Sequence, residues 1–227
     1  YMLSGVPKGS GLSSSAAFEV LMGTMLNRLF WQERCDSAEI ARIGQYAENV
    51  FFGKPCGLMD QMAASVGGVV FIDFADRAHP VVERLDVDLH AHGYALCILD
   101  SGAGHEDLTD AYSAITEELR AVCGVFGKEV LREVPEEAFL ARLPRVRKAA
   151  GDRAVNRAFH VYGENRRARE EKQALARGDF EGFLALVRES GRSSAMYLQN
   201  IIPTGSTAAQ ELMVTIALCE RMLEGRG

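Results

Sequence analysis

The chain has 227 residues, of which 48% are hydrophobic and 25% are charged, and this composition is typical of a globular protein with a core of its own. Its net charge of −6 argues against nucleic-acid binding, because that class usually presents a basic surface. The sequence shows no apolar run long enough for a membrane span and no pattern of a signal peptide. Its five cysteines form no C-x-x-C pair. We therefore expect a cytoplasmic protein with free thiols and without a membrane or nucleic-acid partner; oligomeric state is open.

Hydrophobic spacing in the first part of the chain predicts a mixture of helices and strands. Apolar residues recur at helical spacing, and Asp36 and Ser37 are typical of a helix N-cap. Pro55 and its flanking glycines break the pattern near residue 55. The predicted elements are helices at 13–31, 36–52 and 59–65, and a hairpin of β-branched strands at 69–74 and 81–85.

The second part of the chain predicts almost only helices. It opens on an apolar run, Tyr94 to Asp100, that is typical of a buried strand. The helices that follow are predicted at 106–126, 135–142, 152–177, 180–189 and 208–224. We therefore expect an α+β fold with two domains, residues 1–90 and residues 91–227, the second rich in helix.

A glycine- and serine-rich stretch, Gly5 to Ala17, precedes and opens the first predicted helix. Glycines let backbone approach a ligand closely. The free N–H groups and the dipole at a helix start favour an anion, and serine hydroxyls can bind phosphate oxygens or magnesium. The stretch therefore predicts a cradle for the phosphates of a nucleotide.

Two familiar phosphate loops do not fit this stretch. A Walker loop has its lysine after the second glycine, whereas Lys8 precedes Gly9. A dinucleotide-binding loop has a third glycine where this chain has Ser14. From the residues alone, a serine-capped helix after a glycine turn remains the alternative.

A second informative stretch runs from Gln45 to Met62. It contains one carboxylate on a predicted helix, Glu48, and another at the start of the next helix, Asp60. Transfer of a phosphoryl group to an alcohol needs a metal ion at the phosphates and a carboxylate that accepts the hydroxyl proton. One carboxylate could serve each role, although each taken singly is also an ordinary helix residue.

Both stretches resemble motifs of one enzyme family. Pro-x-Gly-Ser-Gly-Leu-Ser-Ser-Ser-Ala, beginning at Pro7, resembles the second signature of the GHMP small-molecule kinases. Ala-Glu-Asn-x-Phe-x-Gly-x-Pro-Cys-Gly-Leu-Met-Asp-Gln, beginning at Ala47, resembles the galactokinases within that family. Further likenesses follow in Val69 to Asp73, Ser101 to Tyr112 and Arg157 to Arg167.

The resemblance implies a GHMP kinase fold and the transfer of the γ-phosphoryl group of ATP to the anomeric hydroxyl of galactose or a related sugar. It implies Asp60 as the catalytic base, Gly57, Asp60 and Tyr112 as sugar contacts, and Ser15 and Glu48 as ligands of Mg²⁺. ATP would contact the residues of the loop, namely Lys8, Gly9, Ser10, Gly11, Leu12, Ser13, Ser14 and Ser15. Among the histidines, His160 is expected to pack between helices.

The sequence also departs from the galactokinase pattern. The segment after Tyr112 lacks two arginines that galactokinases usually have, so another sugar, such as N-acetylgalactosamine or arabinose, stays open. The family's N-terminal sugar-binding signature and its C-terminal glycine-rich signature are not found. We therefore expect the interior of a longer kinase that is inactive by itself. A non-catalytic sugar sensor is a further alternative, but such proteins have a shortened serine loop, and here Ser13 to Ala17 is intact.

Overall fold

The computed structural model describes residues 5–6, 11–53, 56–76, 78–102, 109–205 and 207–223. The chain folds into two compact units, Tyr1–Leu96 and Cys97–Gly227. Each unit has its own helices and its own buried residues, and each is described by itself below. The boundary predicted near residue 90 stays a prediction.

Unit 1 contains the three predicted helices, which are confirmed. They are α1 (Ser14–Phe30), α2 (Ser37–Tyr46) and α3 (Met59–Val66). A single π-helical turn, Ala47–Phe51, continues α2. Asp36 caps α2, because its carboxylate accepts a hydrogen bond from the Glu39 amide at 2.8 Å while the Glu39 carboxylate accepts one from the Asp36 amide at 2.8 Å. This reciprocal pair fixes the start of α2.

The helices of unit 1 pack closely where Gly44 faces two neighbours. A Cβ atom at Gly44 would meet the Glu19 Cβ and the Gln61 Cγ, each at 3.3 Å, so glycine lets α1, α2 and α3 approach at that level. In the described part of unit 1, the buried apolar residues are Ala16, Val20, Ile40, Ala41 and Met62. The result is a fixed spacing between the starts of α1 and α3.

The predicted hairpin is confirmed as β1 (Val69–Asp73) and β2 (Val81–Leu85), which pair antiparallel from Val69 opposite Leu85 to Asp73 opposite Val81. The strand predicted at Tyr94 to Asp100 is wrong. Those residues have no regular secondary structure, and positions 95–100 are exposed. A strand needs a partner for its backbone hydrogen bonds, and in the described ranges the sheet contains β1 and β2 alone.

Unit 2 is helical, as predicted. Its helices are α4 (Thr109–Gly124), α5 (Glu136–Ala141), α6 (Leu143–Ala150), α7 (Asp152–Ala176), α8 (Phe180–Ser193) and α9 (Glu211–Leu223). The sequence prediction missed α6, in which a proline occupies the first turn, where its missing N–H is tolerated. Residues 106–108, the predicted start of α4, lie outside the described residues.

The long helix α7 is the centre of unit 2, since it packs against α4, α6 and α8. The core on this helix consists of Val122, Cys123, Leu131, Val134, Phe139, Val146, Ala154, Val155 and Ala158. Across the residues that the structure describes in both units, no helix combines the length and the apolar character that crossing a bilayer requires.

Candidate active site

The glycine-rich loop joins α1 through Ser13, which has an unusual backbone conformation. Its φ of 53° and ψ of 49° lie in the left-handed region, and its side chain does not cap α1. For a residue other than glycine this conformation costs about 1–2 kcal/mol and persists only where surrounding contacts hold it. Gly11 also has a positive φ, 72°. The predicted loop residues Lys8, Gly9 and Ser10 lie outside the described residues.

The contact that holds the Ser13 side chain is a hydrogen bond to the predicted base. The Ser13 hydroxyl donates to Asp60 Oδ2 at 2.6 Å. Asp60 lies in the first turn of α3, and α3 packs on α1, which brings two residues 47 positions apart into contact. Because Asp60 is exposed, its carboxylate is accessible to a substrate hydroxyl as well as to Ser13.

A second serine–carboxylate pair lies close by in the sequence. The Ser15 hydroxyl donates to Glu48 Oε1 at 3.0 Å, and the Glu48 side chain comes from the π-helical turn Ala47–Phe51. Such turns are rare and occur often at functional sites. Glu48 is only 4% exposed, whereas Ser15 is exposed. The buried Glu48 carboxylate is thus connected to the surface by its hydrogen bond to the exposed Ser15.

The Ser15 hydroxyl and the Glu48 carboxylate are ligands of the kind that a magnesium ion prefers. Mg²⁺ prefers hard oxygen ligands and is usually bound by one or two carboxylates together with phosphates and water. The Ser15 hydroxyl, at the start of α1, lies 3.0 Å from Glu48 Oε1. Within the described ranges, no cluster of three or more His, Cys, Asp or Glu side chains could hold a metal ion.

Two further residues belong to this site and were missed by the sequence analysis. Gln61 is 1% exposed, and its side-chain nitrogen donates to Glu48 Oε2 at 2.9 Å and to Glu19 Oε2 at 3.2 Å. A signal for Glu19 exists, since it follows Ser15 by four residues on α1 and so lies on the same face. Gln61 directly follows Asp60 in the motif.

The loop before α3 is held against the same carboxylate. The Cys56 amide donates to Asn49 Oδ1 at 2.7 Å, and the Gln45 side chain donates to the Cys56 carbonyl at 3.2 Å. Burial raises the pKa of the Cys56 thiol, and its contact with Glu48 raises that pKa further. Gly57, the predicted sugar contact, is exposed, and a Cβ there would meet no described atom within 4 Å.

Tyr112, the other predicted sugar contact, lies in unit 2. It is an exposed residue of α4 and lines a cavity of about 330 Å³ together with Ile115, Arg157, Asn200, Ile202 and Leu212. Its role toward a sugar stays a prediction.

Two buried polar residues of α7, Arg157 and His160, contact residues of neighbouring elements. Arg157 Nη1 pairs with Glu118 Oε2 at 2.9 Å, and Arg157 Nε donates to the Leu198 carbonyl at 3.1 Å. His160 Nδ1 lies 2.9 Å from the Ser193 hydroxyl, which confirms that it packs between α7 and α8. Burial lowers the pKa of His160.

Phosphoryl-transfer enzymes use hydroxyl and carboxylate groups at the phosphates and a carboxylate near the acceptor. The pairs Ser15–Glu48 and Ser13–Asp60 offer groups of these kinds. Residues 1–68 match the family model described as GHMP kinases N terminal domain. This first part of the chain is therefore similar to the N-terminal domain of the GHMP kinases.

Within that family, the chain is homologous to galactokinases. It is 36% identical to the galactokinase of Actinobacillus pleuropneumoniae over 183 residues, which are 78% of this chain and 45% of that protein. It is 35% identical to the galactokinase of Homo sapiens over 195 residues, 85% of this chain and 47% of that protein. The chain thus spans about half the length of these relatives.

A solved structure gives the same result for the fold. The crystal structure of Lactococcus lactis galactokinase complexed with galactose superimposes with a TM-score of 0.62 at 23% identity, over 85% of this chain and 49% of that one. This match confirms the predicted α+β fold of the GHMP kinases.

Proposed function

We propose that the protein containing this chain transfers the γ-phosphoryl group of ATP to the anomeric hydroxyl of galactose. The observation that carries the proposal is the pair of contacts Ser13–Asp60 and Ser15–Glu48. They join the serine-rich loop to two carboxylates that the reaction would use differently, one exposed and one buried. The relatives named galactokinase supply the substrate.

Asp60 acts as the general base in this proposal. The sugar oxygen forms a bond to the γ-phosphorus, and the Asp60 carboxylate takes the proton of that hydroxyl. The bond from the γ-phosphorus to the β–γ bridging oxygen breaks, and ADP leaves with that electron pair. The hydrogen bond from Ser13 at 2.6 Å orients the carboxylate until the sugar hydroxyl arrives.

Ser15 and Glu48 would hold Mg²⁺, which neutralises phosphate charge when bound. The loop residues 8–15 and the start of α1 bind the phosphates of ATP, because free backbone N–H groups and the helix dipole favour anions there.

The cysteines also bear on the compartment of the reaction. The free cysteines of the described residues are Cys35, Cys56, Cys97, Cys123 and Cys219. They support a reducing compartment, and we place the reaction in the cytoplasm.

The product identifies the reaction. The protein containing this chain is incubated with galactose, ATP and Mg²⁺, and the sugar phosphate is assigned by ³¹P NMR. The expected product is galactose phosphorylated at the anomeric carbon, with one ADP released per phosphate ester. No phosphate ester, or an ester at another carbon, would contradict the proposal.

The specific sugar is tested in the same assay. Ala111 and Ile115 flank Tyr112 along α4, where galactokinases usually have a different, arginine-containing segment. N-acetylgalactosamine and arabinose are therefore included beside galactose. A higher kcat/KM for either one would identify a kinase for that sugar, while ATP binding without transfer to any sugar would identify a sensor.

A further inference from the structure

Gln61 connects the two carboxylates, Glu48 and Glu19, behind the serine loop. We infer that it is a positioning residue, which orients Glu48 so that Glu48 Oε1 faces Ser15 and the metal. This inference rests on the proposed function, in which Glu48 holds Mg²⁺. The contacts come from three different elements of unit 1, namely α1, the π-helical turn and α3.

The two oxygens of Glu48 accept hydrogen bonds from different residues. The Gln61 nitrogen donates to Glu48 Oε2 at 2.9 Å, while Ser15 donates to Glu48 Oε1 at 3.0 Å. A primary amide has two N–H groups, so Gln61 can also donate to Glu19 Oε2 at 3.2 Å. Glu48 Oε2 thus accepts from Gln61, and Glu48 Oε1 accepts from Ser15. The Gln61 nitrogen also lies 3.5 Å from Cys56 Sγ.

The orientation of the amide follows from charge. Gln61 Oε1 is buried and has no hydrogen-bond partner among the described residues, although an unpaired buried acceptor costs about 1–3 kcal/mol. Rotating the amide by half a turn would place that oxygen against Glu19 and Glu48, where it would meet carboxylate oxygens. The two carboxylates therefore keep the nitrogen toward them.

A neutral donor at this position also suits a metal site. Lysine or arginine could bridge two carboxylates, but a positive charge there would repel Mg²⁺. Glutamine satisfies the carboxylates by hydrogen bonding and leaves their negative charge in place. Packing at Gly44, whose Cβ would lie 3.3 Å from Gln61 Cγ, holds the side chain at its position.

The test measures magnesium coupling directly. The magnesium enhancement is defined as the Kd for ADP without Mg²⁺ divided by the Kd with Mg²⁺, both by calorimetry on the protein containing this chain. Gln61→Met removes the amide and keeps the length of the side chain. We expect it to lower the magnesium enhancement about tenfold, as residues behind metal ligands typically do, and to leave the Kd without Mg²⁺ within about twofold of the parent's.

Two further variants keep the test decisive. Gln61→Asn retains an amide but shortens it by one methylene, out of reach of at least one carboxylate, and we expect a smaller loss in the same direction. Gln173→Met is the control, because Gln173 is an exposed residue of α7, and it should retain the parental enhancement.

The outcomes separate this inference from the proposed function. A parent whose ADP affinity does not depend on Mg²⁺ would contradict the proposed function itself. A parental enhancement in both Gln61 variants would overturn the positioning role alone. Loss of the folded state in both variants, seen by circular dichroism, would also overturn it, since Gln61 would then be a determinant of folding.

Discussion

The two units use buried polar groups in different ways. In unit 1, buried Glu48 and Gln61 lie directly behind exposed Ser15 and Asp60, so their hydrogen bonds lead outward to a surface that a ligand can reach. In unit 2, Arg157 and His160 are buried among partners on neighbouring helices. We therefore expect Glu48 and Gln61 to serve the proposed reaction, and Arg157 and His160 to hold α7 against its neighbours.

The largest expected effect concerns stability in unit 2. The Arg157 side chain is 3% exposed and pairs with Glu118, whose side chain is 21% exposed. Arg157→Met removes one of the two arginines that pair with this half-buried carboxylate, and it should lower the free energy of unfolding by about 3 kcal/mol. Arg147→Met is the control, because its pair with Asp152 is exposed, and it should change stability little. Urea unfolding measures both.

The comparison would fail if Arg157→Met also changed the binding of ADP and Mg²⁺. Calorimetry on the folded variant at low temperature should give the parental magnesium enhancement. A tenfold or greater loss would show that the ion pair of Arg157 with Glu118 contributes to nucleotide binding.

Glu48→Gln tests the buried carboxylate of unit 1. It removes the negative charge and should lower the magnesium enhancement of ADP binding about 50- to 100-fold. This loss should be at least as large as the loss in Gln61→Met. Glu33→Gln, an exposed glutamate beside Arg28, is the control and should match the parent. An unchanged enhancement in Glu48→Gln would rule Glu48 out as a metal ligand.

Ser13 offers a smaller effect with two separable parts. Ser13→Ala and Ser13→Gly both remove the hydroxyl that donates to Asp60, and both should lower kcat about tenfold, which corresponds to about 1.4 kcal/mol. Only glycine relieves the left-handed backbone, so Ser13→Gly should be about 1 kcal/mol more stable than Ser13→Ala. Steady-state kinetics and thermal unfolding measure the two parts. A parental kcat in both variants would show that the Ser13 hydroxyl does not contribute to the reaction.

The smallest expected effect is the pH dependence due to His160. Burial lowers its pKa from the ordinary value of 6.5, so the unfolded state binds its proton first as the pH falls. Stability should therefore decrease from about pH 6.5 downward until the folded-state pKa is passed. His160→Gln should flatten this part of a plot of stability against pH. The same slope in parent and variant would assign it to other groups.

The helices were predictable because their signals are local. The spacing of apolar residues and the cap at Asp36 indicated α1 and α2 without knowledge of their neighbours. The run Tyr94 to Asp100 failed because apolar composition does not reveal whether a partner strand is present. In the described ranges only β1 and β2 pair.

The site shows the same division between local and long-range information. Asp60, Glu48 and Ser15 stand in motifs whose resemblance to a kinase family could be recognised in the sequence. Gln61 and Glu19 were not found, because each is an ordinary polar residue until α1 packs against α3 and Gln61 lies between two carboxylates.

The most direct test of the account is Asp60→Asn in the protein containing this chain. Removing the proton acceptor should lower kcat for phosphorylation of galactose by about 10²- to 10⁴-fold, while calorimetry gives a parental Kd for ADP with Mg²⁺. Asp88→Asn, an exposed aspartate whose carboxylate accepts from the backbone of its own loop, should retain full activity. A parental kcat in Asp60→Asn would contradict the assignment of Asp60 as the base and with it the active site in unit 1.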